Sequence, residues 1–125
     1  PGVLETLKDL RAGGYILAVA TGKSRAGLDR VLAATGLVGF FDGSRCADET
    51  LSKPHPLMLE ELLSQFGVKA NDAIMVGDTE FDLAMAKSAR MPAIGVTYGA
   101  HELDRLLRHD PIACLDSLSD IYLYL

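Results

Sequence analysis

Short runs of apolar residues alternate along this chain with longer segments in which apolar residues recur every three or four positions. The short runs predict buried strands, and the longer segments predict amphipathic helices. The predicted strands cover residues 15–20, 44–47, 73–77, 92–97 and 112–114. The predicted helices cover residues 2–12, 24–35, 57–66, 79–90 and 101–108, with a terminal helical turn at 118–124. Strands that alternate with helices indicate an α/β fold, namely a doubly wound, Rossmann-like parallel sheet with helices on both faces.

The acidic stretch after the third predicted strand is the strongest sign of a functional site. The strand ends in Gly77, and Asp78 and Asp82 follow at the start of a predicted helix. Ligands of open α/β sheets bind beyond the carboxyl ends of the strands. Carboxylates four residues apart lie on one side of a helical turn, where a hard cation such as Mg²⁺ relieves their repulsion. A structural interpretation is equally open, because acidic residues favour a helix N-terminus and Thr79 is a good N-cap.

Two further segments carry polar groups that suit an anion. Thr21 and Gly22 follow the first predicted strand, where a hydroxyl and free amides ahead of a helix form an anion cradle. Lys53 precedes a predicted helix, and Pro54 beside it restricts the backbone. The simpler alternatives are a tight turn with Ser24 as N-cap and a solvated loop lysine.

The order of these groups resembles the haloacid dehalogenase (HAD) superfamily of phosphohydrolases, in particular its phosphoglycolate-phosphatase-like members. The second motif of that family is a Thr or Ser that closes a strand, and Thr21 matches it. Its third motif is a lysine that proline often follows, and Lys53 matches it. Its fourth motif is an acidic stretch, matched by Asp78 and Asp82. The resemblance runs through residues 1–125, which we interpret as one HAD-like core domain.

The resemblance implies a mechanism and a role for each matched residue. It implies that Asp78 holds Mg²⁺, with Asp82 as a second ligand or an outer partner. Lys53 would neutralise charge on the nucleophile and on the transferring group, while the Thr21 hydroxyl and the Gly22 amide would hold phosphoryl oxygens. Lys53 and Thr21 are thus the catalytic candidates. The implied reaction is hydrolysis of a small phosphate monoester, such as phosphoglycolate or a sugar phosphate, through an aspartyl-phosphate intermediate.

One motif of the family is missing. Its nucleophile is the first Asp of a D-x-D pair that ends the first strand, and no two aspartates of this chain stand two positions apart. We therefore expect the nucleophile, its strand and the substrate-selecting cap to lie upstream of Pro1 or on another chain. That strand would separate residues 15–20 from residues 73–77. A smaller departure is Arg90, where relatives commonly have glycine, and it implies a different helix exit or modest strain.

The composition argues against several other classes of protein. An apolar content of 49% over 125 residues suits one domain with its own core. A net charge of −5 argues against nucleic-acid binding, which depends on lysine and arginine. The longest apolar run has six residues, so we expect no membrane span. Cys46 and Cys114 are isolated, and we expect free thiols in a cytoplasmic protein.

Two alternatives from other functional classes remain open. A receiver domain, which is a phosphoacceptor signalling module, also combines acidic residues, a Thr or Ser, a Lys and Mg²⁺. Its acidic residues precede its Thr and Lys, however, whereas here Thr21 and Lys53 precede Asp78. The other alternative is a non-catalytic phosphate-binding scaffold. A D-x-D stretch in the reading frame upstream of Pro1 would distinguish the enzyme from the scaffold.

Overall fold

The computed structural model of the protein describes residues 3–50, 53, 55–97 and 103–125. Within these ranges helices alternate with short strands: α1 Val3–Ala12, β1 Ala18–Ala20, α2 Arg25–Thr35, β2 Gly43–Arg45, α3 Leu57–Phe66, β3 Met75–Gly77, α4 Glu80–Ser88, β4 Ala93–Val96, α5 Leu103–Leu107 and β5 Ala113–Leu115. Two 3-10 helices cover Ala70–Asp72 and Leu118–Tyr124. Each predicted helix and strand has its counterpart in the described part of the chain, and their order confirms the α/β fold. Pro54 and residues 2, 101 and 102 of two predicted helices lie outside the described residues.

The main correction concerns the first strand. The sequence pattern predicts a buried strand over residues 15–20, but β1 begins at Ala18. Tyr15 and Ile16 are 47% and 51% exposed, and the amide of Leu17 donates to the carboxylate of Asp42 at 2.8 Å. Residues 18–20 do form a strand, but Ala18 is exposed and the other two residues are half-buried. The prediction was therefore wrong in extent for the first half of this run and wrong in burial for all of it, because an apolar run fixes neither the pairing partner nor the burial of each residue.

The strands form two parallel sheets that do not pair with each other in the described residues. β1 pairs with β2, and the second sheet has the order β3-β4-β5. β1 and β3 therefore each keep an unpaired edge. A cleft of about 330 Å³ is lined by Ala20 at the end of β1 and by Met75, Val76 and Gly77 of β3. This arrangement agrees with the expectation that the two strands are not direct neighbours.

Helices cover both faces of the three-stranded sheet. Successive residues of a strand point to opposite faces, and in β4 Ala93 belongs to one buried cluster and Ile94 to another. The first cluster joins α3, α4 and α5 through Met58, Leu59, Leu83, Met85, Ala86 and Leu106. The second joins α1, β5 and the C-terminal 3-10 helix through Leu10, Leu115, Leu118 and Ile121. β4 is buried along its whole length, which confirms a doubly wound sheet.

The helix ends follow the sequence signals except at α4. The Ser24 side chain caps α2 by accepting the Gly27 amide at 3.0 Å, and Gly36 ends α2 in the left-handed conformation. After α4, Arg90 also adopts a left-handed backbone, with φ of 59°. That conformation costs a residue with a Cβ about 1–2 kcal/mol. The exit from α4 thus keeps a geometry that favours glycine, and Arg90 carries the strain.

Candidate active site

The junction between β3 and α4 buries one of the two predicted site aspartates. The Thr79 hydroxyl accepts the amide of Asp82, and the Asp82 carboxylate accepts from the Thr79 amide, which is a capping box. Asp82 is only 4% exposed and lies against Gly77. A Cβ on Gly77 would stand 2.3 Å from the Cβ of Asp82. Only glycine at position 77 therefore leaves room for this carboxylate.

Lys53 forms an ion pair with Asp82 across the cleft. The Lys53 ammonium contacts Oδ1 of Asp82, and the two side chains are only 18% and 6% exposed. Oδ2 of Asp82 accepts the Thr79 hydroxyl at 3.0 Å and the Thr79 amide at 3.3 Å. Both oxygens of this carboxylate thus have donors. Lys53 and Asp82 were each predictable from the sequence as site residues, but their direct contact was not.

Asp78 lines the same cleft as Lys53 and Asp82. With the described residues its carboxylate makes no hydrogen bond or ion pair, which leaves its oxygens available to an oxygen-binding cation such as Mg²⁺. Across the described ranges, no group of three or more His, Cys, Asp and Glu side chains is arranged to hold a metal. Asp78 therefore fits one position of a Mg²⁺ site, and further ligands would have to come from elsewhere.

Thr21 and Gly22 follow directly on Ala20, which lines the cleft. The Thr21 hydroxyl accepts the amide of Lys23 at 3.1 Å, and the Thr21 amide donates to the carbonyl of Arg45 at 3.1 Å. Gly22 is exposed, and its amide has no acceptor among the described residues. The loop after β1 therefore presents a hydroxyl and a free amide beside the cleft.

An arginine that the sequence reasoning missed ties this loop to the one after β2. Two nitrogens of Arg25 donate to the Glu49 carboxylate at 2.7 and 3.0 Å, and a third donates to the hydroxyl of Ser44 at 2.8 Å. The hydrogen bond to Arg25 is the main reason that the pKa of Glu49 lies below its ordinary value. The available signal was an arginine at the first position of α2 with acidic residues after the next strand.

Comparison with known proteins identifies the family. The family model described as haloacid dehalogenase-like hydrolase matches residues 1–96. The chain belongs to this family. A probable phosphatase IndB from Dickeya dadantii is 45% identical over 97% of the chain, and a phosphoglycolate phosphatase from Colwellia psychrerythraea is 31% identical over 98%. The chain spans 53% and 55% of these two relatives, about half of their length.

A solved structure shows the same fold in a relative. The crystal structure of a predicted phosphoglycolate phosphatase from Haemophilus somnus superimposes with a TM-score of 0.92 at 33% identity. The match covers 99% of this chain and 56% of that one. A pyrophosphatase PpaX from Halalkalibacterium halodurans is 35% identical over 96% of the chain. Relatives with different phosphatase names are thus similar to this chain in sequence, and the solved structure shares its fold. Among the described helices, none is long and apolar enough to cross a membrane.

Proposed function

We propose that this chain forms the phosphate-holding part of a Mg²⁺-dependent phosphatase site that acts on a small phosphate monoester. The observation that carries the proposal is the ion pair of Lys53 with the buried Asp82 carboxylate, in the cleft that Asp78 also lines. A phosphate dianion requires fixed positive charge if a second anion is to attack it. Lys53 supplies such a charge, and Asp82 holds it in place.

The remaining residues of the site each bind a different part of the phosphoryl group or the metal. The Thr21 hydroxyl and the Gly22 amide hold two of its oxygens, and Lys53 neutralises a third. Asp78 is the metal ligand of this chain. Mg²⁺ bound there would add positive charge beside the phosphoryl oxygens. Asp82 holds Lys53 rather than the metal, because the Lys53 ammonium on Oδ1 repels a cation there and Oδ2 already accepts two hydrogen bonds from Thr79.

The nucleophile comes from an extended strand that enters the cleft between β1 and β3, from the same polypeptide or another one. The unpaired edges of both strands support this proposal. The strand ends in a D-x-D pair. The carboxylate of its first Asp attacks phosphorus, the bond to the ester oxygen breaks, and the leaving alcohol takes a proton from the second Asp. Water then attacks the aspartyl-phosphate, which releases inorganic phosphate and restores the carboxylate.

The names of relatives and the composition of the chain support a substrate class and a compartment. Several relatives are named phosphoglycolate phosphatase, and this favours a small phosphorylated metabolite as substrate. The net charge of −5 disfavours a nucleic-acid partner. Cys46 and Cys114 are free thiols, which suits a cytoplasmic protein.

The test uses p-nitrophenyl phosphate with the longer polypeptide that contains this chain and a D-x-D strand. We expect Lys53→Ala to lower kcat/KM by about 100-fold or more, and Asp78→Asn to weaken activation by Mg²⁺. Lys69→Ala and Asp72→Asn are matched controls on exposed residues at the two ends of the 3-10 helix before β3. The 125-residue chain alone should show no turnover. If Lys53→Ala is as active as the control Lys69→Ala, the proposal is rejected. If the longer polypeptide binds phosphate without turnover, the scaffold alternative is favoured.

A further inference from the structure

Beyond the residues that hold phosphate, the ion pair of Arg25 and Glu49 joins the loops that follow β1 and β2. We propose that this pair fixes the separation between the Thr21–Gly22 loop and Lys53, and thereby sets how well the site binds phosphate. The inference rests on the proposed function. Neither Arg25 nor Glu49 lines the cleft, so they act through the two loops that they join.

The guanidinium of Arg25 connects α2 with β2 and the loop behind it. It donates to both oxygens of Glu49 and to the side chain and carbonyl of Ser44, the latter at 3.4 Å. It also lies 4.0 Å from Asp29 one turn along α2, but that carboxylate is 62% exposed. The planar fork of arginine matches a carboxylate through two parallel bonds, which a lysine cannot reproduce. The connection therefore fixes an orientation as well as a distance.

Backbone amides of the same two loops donate further hydrogen bonds between them. The Arg25 amide donates to the Asp48 carboxylate at 3.0 Å, and the Ala47 amide donates to the carbonyl of Lys23 at 3.0 Å. Glu49 in turn accepts the amide of Cys46 at 3.0 Å, which orients the acidic partner. The loop of residues 46–50 is thus fastened to the loop that begins at Thr21. In the sequence, Lys53 stands three positions after the last residue of this loop.

The magnitudes favour a role in positioning over one in stability. Arg25 and Glu49 are each 35% exposed, and ion pairs at such sites contribute little to the free energy of unfolding. A shift of about 1 Å in a group that contacts the reacting atoms, in contrast, lowers the rate by about 100-fold. Breaking the pair should therefore alter phosphate binding and turnover far more than it alters unfolding.

The test compares Arg25→Lys and Glu49→Gln in the longer active polypeptide. We expect each to lower kcat/KM for p-nitrophenyl phosphate by about 10-fold or more and to raise the inhibition constant of inorganic phosphate in parallel. The Mg²⁺ activation constant should stay unchanged, because Asp78 follows β3 and has no contact with the pair. Glu61→Gln is the matched control, since Glu61 pairs with Arg45 at 2.9 Å and joins β2 only to α3.

Each outcome has a distinct meaning. Positioning is established if the thermal midpoints of Glu49→Gln and Glu61→Gln fall equally while only Glu49→Gln has a lower kcat/KM and a higher inhibition constant of phosphate. Kinetic constants of Arg25→Lys and Glu49→Gln within twofold of the unsubstituted protein overturn the positioning role and leave the phosphatase proposal intact. An unsubstituted polypeptide that neither turns over the ester nor binds inorganic phosphate overturns both.

Discussion

The carboxylate of Asp82 contacts Lys53 through one oxygen and Thr79 through the other. One buried side chain therefore pairs with the loop residue Lys53 and caps the N-terminus of α4 at the same time. A change at Asp82 should disturb the stability of α4 and the charge at the cleft together. The two effects can be separated by a substitution that keeps the oxygen and removes the charge.

Asp82→Asn is that substitution. Its amide oxygen can still accept from Thr79, but Lys53 loses its partner in a cleft where it is only 18% exposed. We expect the free energy of unfolding to fall by about 1–3 kcal/mol, measured by urea denaturation. Asp29→Asn is the control, because Asp29 is exposed and its ion pair is long. Equal losses for the two variants would show that the buried ion pair contributes nothing to stability.

Gly77→Ala should destabilise the fold by steric overlap. The added methyl would stand 2.3 Å from the Cβ of Asp82 and 2.8 Å from its Oδ2, so the carboxylate must move away from Lys53. Overpacking of this kind costs about 1–3 kcal/mol. Gly22→Ala meets no atom within 4 Å and should leave the unfolding midpoint unchanged or slightly raised. Indistinguishable urea midpoints for the two variants would contradict the close approach at Gly77.

Arg90→Gly should stabilise the protein. Arg90 has a φ of 59° and an exposed side chain, so glycine relieves strain and loses little packing. We expect a gain of about 0.5–1 kcal/mol after the greater freedom of the unfolded chain is counted. At the neighbouring Ala89, with φ of −85°, the same change to glycine should instead cost about 0.5–1 kcal/mol. Thermal denaturation of both variants checks the opposite signs, and a destabilised Arg90→Gly would disprove the strain.

The ion pair of Lys87 and Asp110 should appear in the acid titration of the protein. Hydrogen bonding to Lys87 at 2.6 Å lowers the pKa of Asp110 from its ordinary value of 3.8. A carboxyl whose pKa is lowered by folding stabilises the protein above its unfolded pKa, and that contribution disappears as the pH falls through the folded value. In an NMR titration, Lys87→Ala should raise the Asp110 midpoint towards 3.8. An unchanged midpoint would show that the pair does not form in solution.

Much of the fold was predictable because it depends on local patterns. The spacing of apolar residues identified α3 and α4, and Ser24 and Gly36 identified the ends of α2. At Arg90 the family resemblance left open a different helix exit or modest strain, and the structure shows a left-handed, strained exit. These features depend on contacts between near neighbours in the sequence, which hydrophobic periodicity and capping preferences report directly.

The remaining features depend on contacts that no local pattern encodes. Lys53 and Asp82 are 29 positions apart, and Arg25 and Glu49 are 24 apart. The sequence shows which of these residues are charged and that they lie at the ends of helices and strands. Which charge pairs with which is decided by how the strands and loops pack. For the same reason the extent of β1 was misjudged, because strand ends depend on pairing across the sheet as well as on apolar character.

Because one edge of β3 is unpaired, the register in which another strand pairs with it decides where the side chains of that strand lie. Any strand that docks between β1 and β3 can slide along hydrogen-bonding groups that repeat every two residues, and each residue advances it by about 3.3 Å. A slip of two residues would keep the same side chains facing each helix layer yet carry a terminal carboxylate about 7 Å from Asp78 and Lys53. A slip of one residue would turn that carboxylate to the opposite face. A protein of this architecture can therefore be fully folded and still inactive, with a docking error of a single step as the only fault.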